Sequence, residues 1–351
     1  MKEQVARAVW IDNVRVIATI AVIMVHVATP PVFTKYDPAS ASNTVWWIGN
    51  VYDSLCRVCV PLFVMLSGTL LLPQKIGLTD FIKKRLNRIL LPFLFWSVLY
   101  LGFKLALKVR DEGGNASQHI GTWLLTQVTE GAAPHLWYVY MIIGLYLFIP
   151  VIQPWVVTAS NKALLYFLSI WFVLMVLNQF HLWPSNSPLD LRYFGGYLGY
   201  LVLGYYLSER LVLTQKLRNI ALMLFVIGFA ATVIGTFVYT REQGAFSHAF
   251  YEYLTFNVLF AAIGVYVTVK GFTHNQSNTI IGHIRTIISR YGYGIYLSHL
   301  MILNIITHFK IDYSLITPLV GIPVTTLICL MLSAALTYII NKLPYGKYIS
   351  G

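Results

Sequence analysis

The stretch Trp10-Ile11-Asp12-Asn13-Val14-Arg15-Val16-Ile17-Ala18 runs on to His26 and Ala28 with no further Asp, Glu, Lys or Arg, and its reading decides the fold class. Its length is close to the roughly twenty apolar residues that a helix needs to cross the hydrocarbon core of a bilayer. A secretory leader is a poor fit, because Asp12, Asn13 and Arg15 interrupt the apolar run and no small-residue cleavage site follows. The segment is therefore expected to stay as a first span, closed by Pro30-Pro31.

Blocks of this kind recur along all 351 residues. The remaining spans are expected over 51–72, 88–109, 135–153, 163–180, 192–208, 219–239, 249–269, 291–307 and 315–340. A polar loop with Gly113-Gly114 and an interfacial helix from Gln118 to Thr129 precede the fourth. The fold class is all-α: a polytopic membrane protein with about ten transmembrane helices in one body. Composition agrees, since 57% of residues are hydrophobic and only 11% carry a charge, against about a quarter charged in soluble domains. A chain this poor in polar residues cannot cover the surface of a soluble fold.

The formal charge of +12 raises nucleic-acid binding as a class, and its distribution argues against it. Lys75, Lys83, Lys84, Arg85, Arg88, Lys162, Arg210, Lys216, Arg218, Lys270, Arg285, Arg290, Lys342 and Lys347 fall in loops of one side, together with Lys2 and Arg7. Lys35, Lys108, Arg110, Arg241 and Lys310 fall on the other. That asymmetry places both termini in the cytoplasm and makes membrane lipid, not nucleic acid, the partner of the basic loops. Trp46, Trp47, Trp123, Trp137, Trp155 and Trp183 sit near expected span ends, as interfacial anchors do. Gly195 and Gly199 in span six have the small-xxx-small spacing that permits close helix contact. Cys56 and Cys59 form a CxxC inside an apolar span and read as packing thiols. No His, Asp or Glu spacing suits a metal ion, so none is expected.

Arg15 and His26 are the most informative residues. Eleven steps of 100° return to within about 20°, so both side chains share one helical face, roughly 16 Å apart along the axis. Asp12, one turn before Arg15, is placed to orient it. Charged groups in a span must face the bundle interior or a wet cavity. Two readings stand: a snorkelling Arg with a structural His, or a site in which a neutral His accepts a hydroxyl proton beside a cation that steadies a developing oxyanion. Arg57 is also intramembrane and needs a partner, for which Asp53 and Glu252 are candidates. His299 with Ser298 beside it lies nearly mid-span. Arg192 and Asp190 are placed to meet a substrate at span six. Ser67 lacks a nucleophile elbow and reads as packing or substrate lining.

The Arg15–His26 pair in its Trp-Ile-Asp-Asn context resembles the opening of the membrane-bound acyltransferase-3 family. Further matches follow in order: Val60 to Gly68, ending in Ser67-Gly68; the basic segment from Phe81 to Pro92; His135-Leu136-Trp137-Tyr138; and Gly294 to His299. The opening is especially similar to the enterobacterial common antigen O-acetyltransferase subgroup, from which Val16 departs where many relatives carry Gly. The resemblance implies an enzyme of a bacterial inner membrane that uses an acyl-coenzyme A donor and modifies a glycan or lipid-linked sugar. It implies acetyl-CoA as donor substrate and no permanently bound cofactor. It also implies His26 as general base, with Arg15 at the donor or transition state. Arg85 and Arg88, with Lys84, would bind coenzyme A phosphates, or else only anchor the loop. His135, Trp137 and Tyr138 would help position donor or acceptor. A larger acyl group such as succinyl, and a transporter or flippase without chemistry, are the alternatives.

Overall fold

A computed structural model describes residues 2–40, 42–112, 120–180, 196–272 and 280–351, and every regular element among them is helical. The chain begins with α1 (Lys2–Thr34), α2 (Thr44–Cys56), α3 (Cys59–Leu71), α4 (Leu78–Glu112) and the mostly exposed α5 (Ile120–Glu130). A 3₁₀ turn at Pro134–Leu136 leads into α6 (Trp137–Thr158), followed by α7 (Asn161–Gln179) and the short α8 (Leu198–Tyr205). The chain closes with α9 (Gln215–Gln243), α10 (Phe256–Phe272), α11 (Ile280–His308) and α12 (Pro318–Lys342).

Among the described residues, seven helical segments are long and apolar enough to cross a membrane: α1, α2 with α3 as one span, α4, α6 with its 3₁₀ turn, α7, α9 and α12. α8 and α10 are shorter, and α11 gives its middle turns to Tyr293, Tyr296, Ser298 and His299. Leu94, Val98, Val151, Tyr166, Met223, Val226 and Ile234 face outward, while Asn50, Asp53, Thr69, Asn257 and His299 are buried. An apolar exterior around a polar interior is what a lipid environment requires. Together these features are those of a multi-pass membrane protein.

Several boundaries differ from those expected from sequence. Pro30 and Pro31 do not end α1, which continues to Thr34. Each proline removes one ladder donor, so the carbonyls of His26 and Val27 lose their usual i+4 N–H partners while the helix carries on. The second span is two helices meeting at Arg57-Val58. Pro61 offers no N–H to the Arg57 carbonyl, which opens the helix there. Residues 244–255 do not begin a helix at Ala249: Gly244 caps α9 in the left-handed region (φ 67°), and α10 starts at Phe256. Among the described residues, span six comprises α8 and a following π turn, Tyr206–Arg210. Arg192, Asp190, Trp183 and Gly195 lie outside the described residues. Trp46 is no interfacial anchor; it is fully buried against Trp47 and Phe237.

α1 is the central helix, touching α2, α3, α10, α11 and α12. It runs parallel to α11, so Arg15 meets Ser289 at one level and His26 meets His299 further along. On the other side of α3, glycines set the spacing. A Cβ on Gly68 would lie 1.8 Å from the Leu201 carbonyl oxygen, and one on Gly204 would lie 2.1 Å from that of Met65. Gly199 similarly seats Trp171 of α7. Because the obstruction at Gly68 is backbone, Gly68→Ala is expected to push α3 from α8 and cost about 1–3 kcal/mol. A lowered thermal midpoint of the detergent-solubilised protein reads this out; an unchanged midpoint contradicts the packing. A buried amide network closes the far side, where Gln179 Nε2 donates to Asn257 Oδ1 (2.9 Å) and Asn257 Nδ2 to Thr232 Oγ1 (2.8 Å).

Candidate active site

The basic end of the bundle opens into a cavity of about 590 Å³. α1 contributes Asp12 and Arg15, α3 Ser67, and α4 Arg85, Arg88 and Ile89. α6 adds Tyr138 and Tyr146, and α11 adds Ser289, Arg290, Tyr293 and Tyr296. Among the described lining residues are thus four guanidinium groups and one carboxylate side chain, Asp12, which is already engaged. Arg15 Nη1 donates to Asp12 Oδ1 (3.0 Å) and Ser289 Oγ (2.6 Å), and Ser289 Oγ donates to the same Asp12 oxygen (2.5 Å). This closed triangle ties α1 to α11 and fixes the Arg15 fork at the cavity wall. Both charged side chains remain nearly a third exposed, so the pair is hydrated and its worth to stability is small. Its value is positional.

Arg85 is held by Gln74, whose Oε1 accepts from Nη2 at 2.7 Å, and its guanidinium lies over the Phe81 ring. Arg88, one turn on, is exposed and lines the same cavity. Lys84 is exposed and does not line it. Ser67 does line it, with its hydroxyl donating to the Phe63 carbonyl (3.1 Å) beside the Tyr146 hydroxyl (3.4 Å).

The inner end of the cavity stops at Tyr138 and Tyr296, whose rings meet edge to face at 5.4 Å. Beyond them three histidines converge. The ring centroids of His26 and His299 are 5.3 Å apart, those of His135 and His299 4.9 Å, and those of His26 and His135 6.4 Å. His299 shares Nδ1 with the Tyr296 carbonyl (2.5 Å), which leaves Nε2 buried without a hydrogen-bond partner. The Tyr296 hydroxyl in turn donates to the His135 carbonyl. His135 and His299 are buried, and His26 makes no hydrogen bond to another described residue. Of the three, only His26 keeps accessible surface. Among the described residues no group of His, Cys, Asp or Glu is arranged to hold a metal. Ser298 is fully buried, its hydroxyl turned back to the Ile295 carbonyl, and takes no part in the cavity.

Two residues point elsewhere. Trp137 lies outside the cavity lining and is 40% exposed, stacked on Tyr253 (5.8 Å) and near Tyr197 (5.9 Å). Arg57 pairs with Asp53 (2.5 Å), not Glu252, and its guanidinium lies over Tyr251 (4.2 Å) and within 5.8 Å of Tyr253. Asp53 is fully buried and also accepts from Thr29 Oγ1 (3.0 Å), so this pair staples α2 to α1 close to the His26 turn. Together these form a mixed aromatic and cationic shelf that does not line the cavity.

Sequence reading missed Ser289, Tyr146, Tyr293, Arg290 and Gln74. Ser289 lies ten residues before His299, nearly the spacing of Arg15 and His26, and that parallel is the one signal that pointed to it. A family model described as an acyltransferase domain matches residues 8–340. Neither the curated proteins nor the solved structures compared with the chain gave a match.

Proposed function

The chain belongs to the acyltransferase-3 family and is an acyltransferase, and from that premise we propose that it moves an acetyl group from acetyl-coenzyme A to a hydroxyl of a cell-surface or lipid-linked glycan. The observation that carries this reading is a basic cavity lined by Arg15 and an accessible histidine, His26, on the same face of α1. Arg15, Arg85 and Arg88 supply the paired, charge-assisted donors that phosphates require. Trp137, Tyr197 and Tyr253 offer the flat rings and polar tips that suit a sugar. With the basic end in the cytoplasm of a bacterial inner membrane, and about ten spans counting α8, α10 and α11, the donor enters from within and the acceptor from without. The Trp-Ile-Asp-Asn opening supports placing the enzyme nearest the enterobacterial common antigen O-acetyltransferases.

In the proposed reaction the acceptor hydroxyl oxygen attacks the thioester carbonyl carbon while a His26 ring nitrogen takes its proton. The tetrahedral intermediate collapses with cleavage of the C–S bond. The departing thiolate takes the proton back from His26, which restores the base. His299 and His135 hold the imidazole by ring contact. Because the cavity ends at Tyr138 and Tyr296, these two rings must swing aside for a thioester to reach His26.

Mass spectrometry of surface glycans from cells with and without the gene tests the reading. Loss of an acetyl increment from one glycan is expected. Loss of a succinyl increment would replace the donor, and an unchanged glycan profile would overturn the acceptor class.

A further inference from the structure

Beside the donor cavity lies a second chamber of about 460 Å³, walled by α4, α11, the end of α12 and the 3₁₀ turn Gly346–Tyr348. Its polar lining includes Asn87 and Arg88 from α4, Arg290 from α11, Asn341 from α12 and Lys347 from the turn. No acidic side chain lines it, and no ion pair joins Arg88, Arg290 or Lys347 to a carboxylate among the described residues. Two of the three are instead braced by rings, Arg290 lying 5.7 Å from the Tyr291 centroid and Lys347 5.1 Å from that of Tyr348. Three cations that make no ion pair among the described residues, drawn from three separate elements, converge on one concave space that Gly351 also lines, and form a cradle for a doubly charged oxyanion. Topology alone calls for basic residues on this face of the bundle, but not for their convergence around a chamber.

Arg88 and Arg290 also line the donor cavity, so the two chambers share a wall that is itself cationic. A ligand with two phosphate groups set apart on one scaffold would place one in each. We propose that the second chamber is a separate phosphate site, taking the ribose phosphate of the coenzyme A nucleotide while the pyrophosphate occupies the first. This rests on the coenzyme A reading given above. The chamber also has apolar walls in Leu91 and Pro92, with Leu91 46% exposed on the outer surface of α4. A phospholipid headgroup is therefore the other source of the same phosphate chemistry.

The test uses the full chain in lipid nanodiscs with acetyl-coenzyme A and its analogue lacking the ribose 3′-phosphate. The unmodified protein is expected to show a KM about tenfold or more lower for the complete donor, the worth of one charge-assisted phosphate contact. Lys347→Gln and Arg290→Gln are expected to bring the two KM values together. Lys342→Gln, which removes a nearby cation outside the chamber, keeps them apart. In a second arm, thermal midpoints are compared in phosphatidylcholine with and without phosphatidylglycerol. A stabilisation by the anionic lipid that Lys347→Gln and Arg290→Gln abolish and Lys342→Gln retains, with donor preference unchanged, assigns the site to a lipid phosphate. If the protein binds neither donor, the coenzyme A reading falls and the lipid arm alone decides the chamber. If the two chamber variants leave both the donor preference and the lipid response unaltered, the phosphate site is overturned.

Discussion

His26→Ala is expected to lower acyl transfer by about 10²–10⁴-fold, the usual contribution of a positioned general base. Insertion and elution of the solubilised protein should stay unchanged, because His26 makes no hydrogen bond to another described residue and so leaves no described polar partner unsatisfied. The comparison that matters is with His299. That ring is buried and shares its Nδ1 with the Tyr296 carbonyl, so His299→Ala removes a contact to His26 and opens a void beside it. A void of that kind is expected to lower the thermal midpoint as well as the rate. His26→Ala should lower the rate alone. Activity within tenfold of the original in His26→Ala, or a larger loss in His299→Ala at unchanged stability, would move the base to His299.

The second large effect is expected at the mouth. Replacing both Arg85 and Arg88 with Ala should raise the KM for the acyl donor by about 10²-fold or more, since each charge-assisted contact is worth roughly 1.5–3 kcal/mol. The acceptor KM should change little, because the aromatic shelf around Trp137 lies outside the cavity that these arginines line. The two positions should also differ. Arg85 is braced by Gln74 and Phe81, so Arg85→Lys loses a preset fork, while exposed Arg88 tolerates Lys better. Equal losses in donor and acceptor KM would instead mean that the segment merely anchors the loop at the membrane surface.

Most of the architecture was legible because its signals are local. An apolar block of span length declares a helix in lipid, and a 100° step puts Arg15 and His26 on one face whatever surrounds them. Asp12 one turn from Arg15 likewise follows from helical geometry, and the two side chains do meet. The motifs of the acyltransferase-3 family were equally visible, since they are short runs of named residues. Where local signals compete, the tertiary fold overrides them. Pro30-Pro31 stop a helix in water, but in this bundle α1 continues past them because its neighbours hold it. Trp46 has the composition of an anchor and the burial of a core residue.

What only the tertiary structure decided is which faces meet. Asp12, Arg15 and Ser289 close a triangle because α1 and α11 lie parallel and in register, a relation across more than 270 positions that no local pattern encodes. The same register brings His299 to His26, and the start of α6 adds His135 to them. Trp137 and Tyr138 are neighbours in sequence, yet one faces the shelf and the other the cavity, because adjacent helical residues diverge by about 100°. Helical periodicity set each face, and long-range packing, governed by glycines such as Gly68 and Gly204, chose its partner.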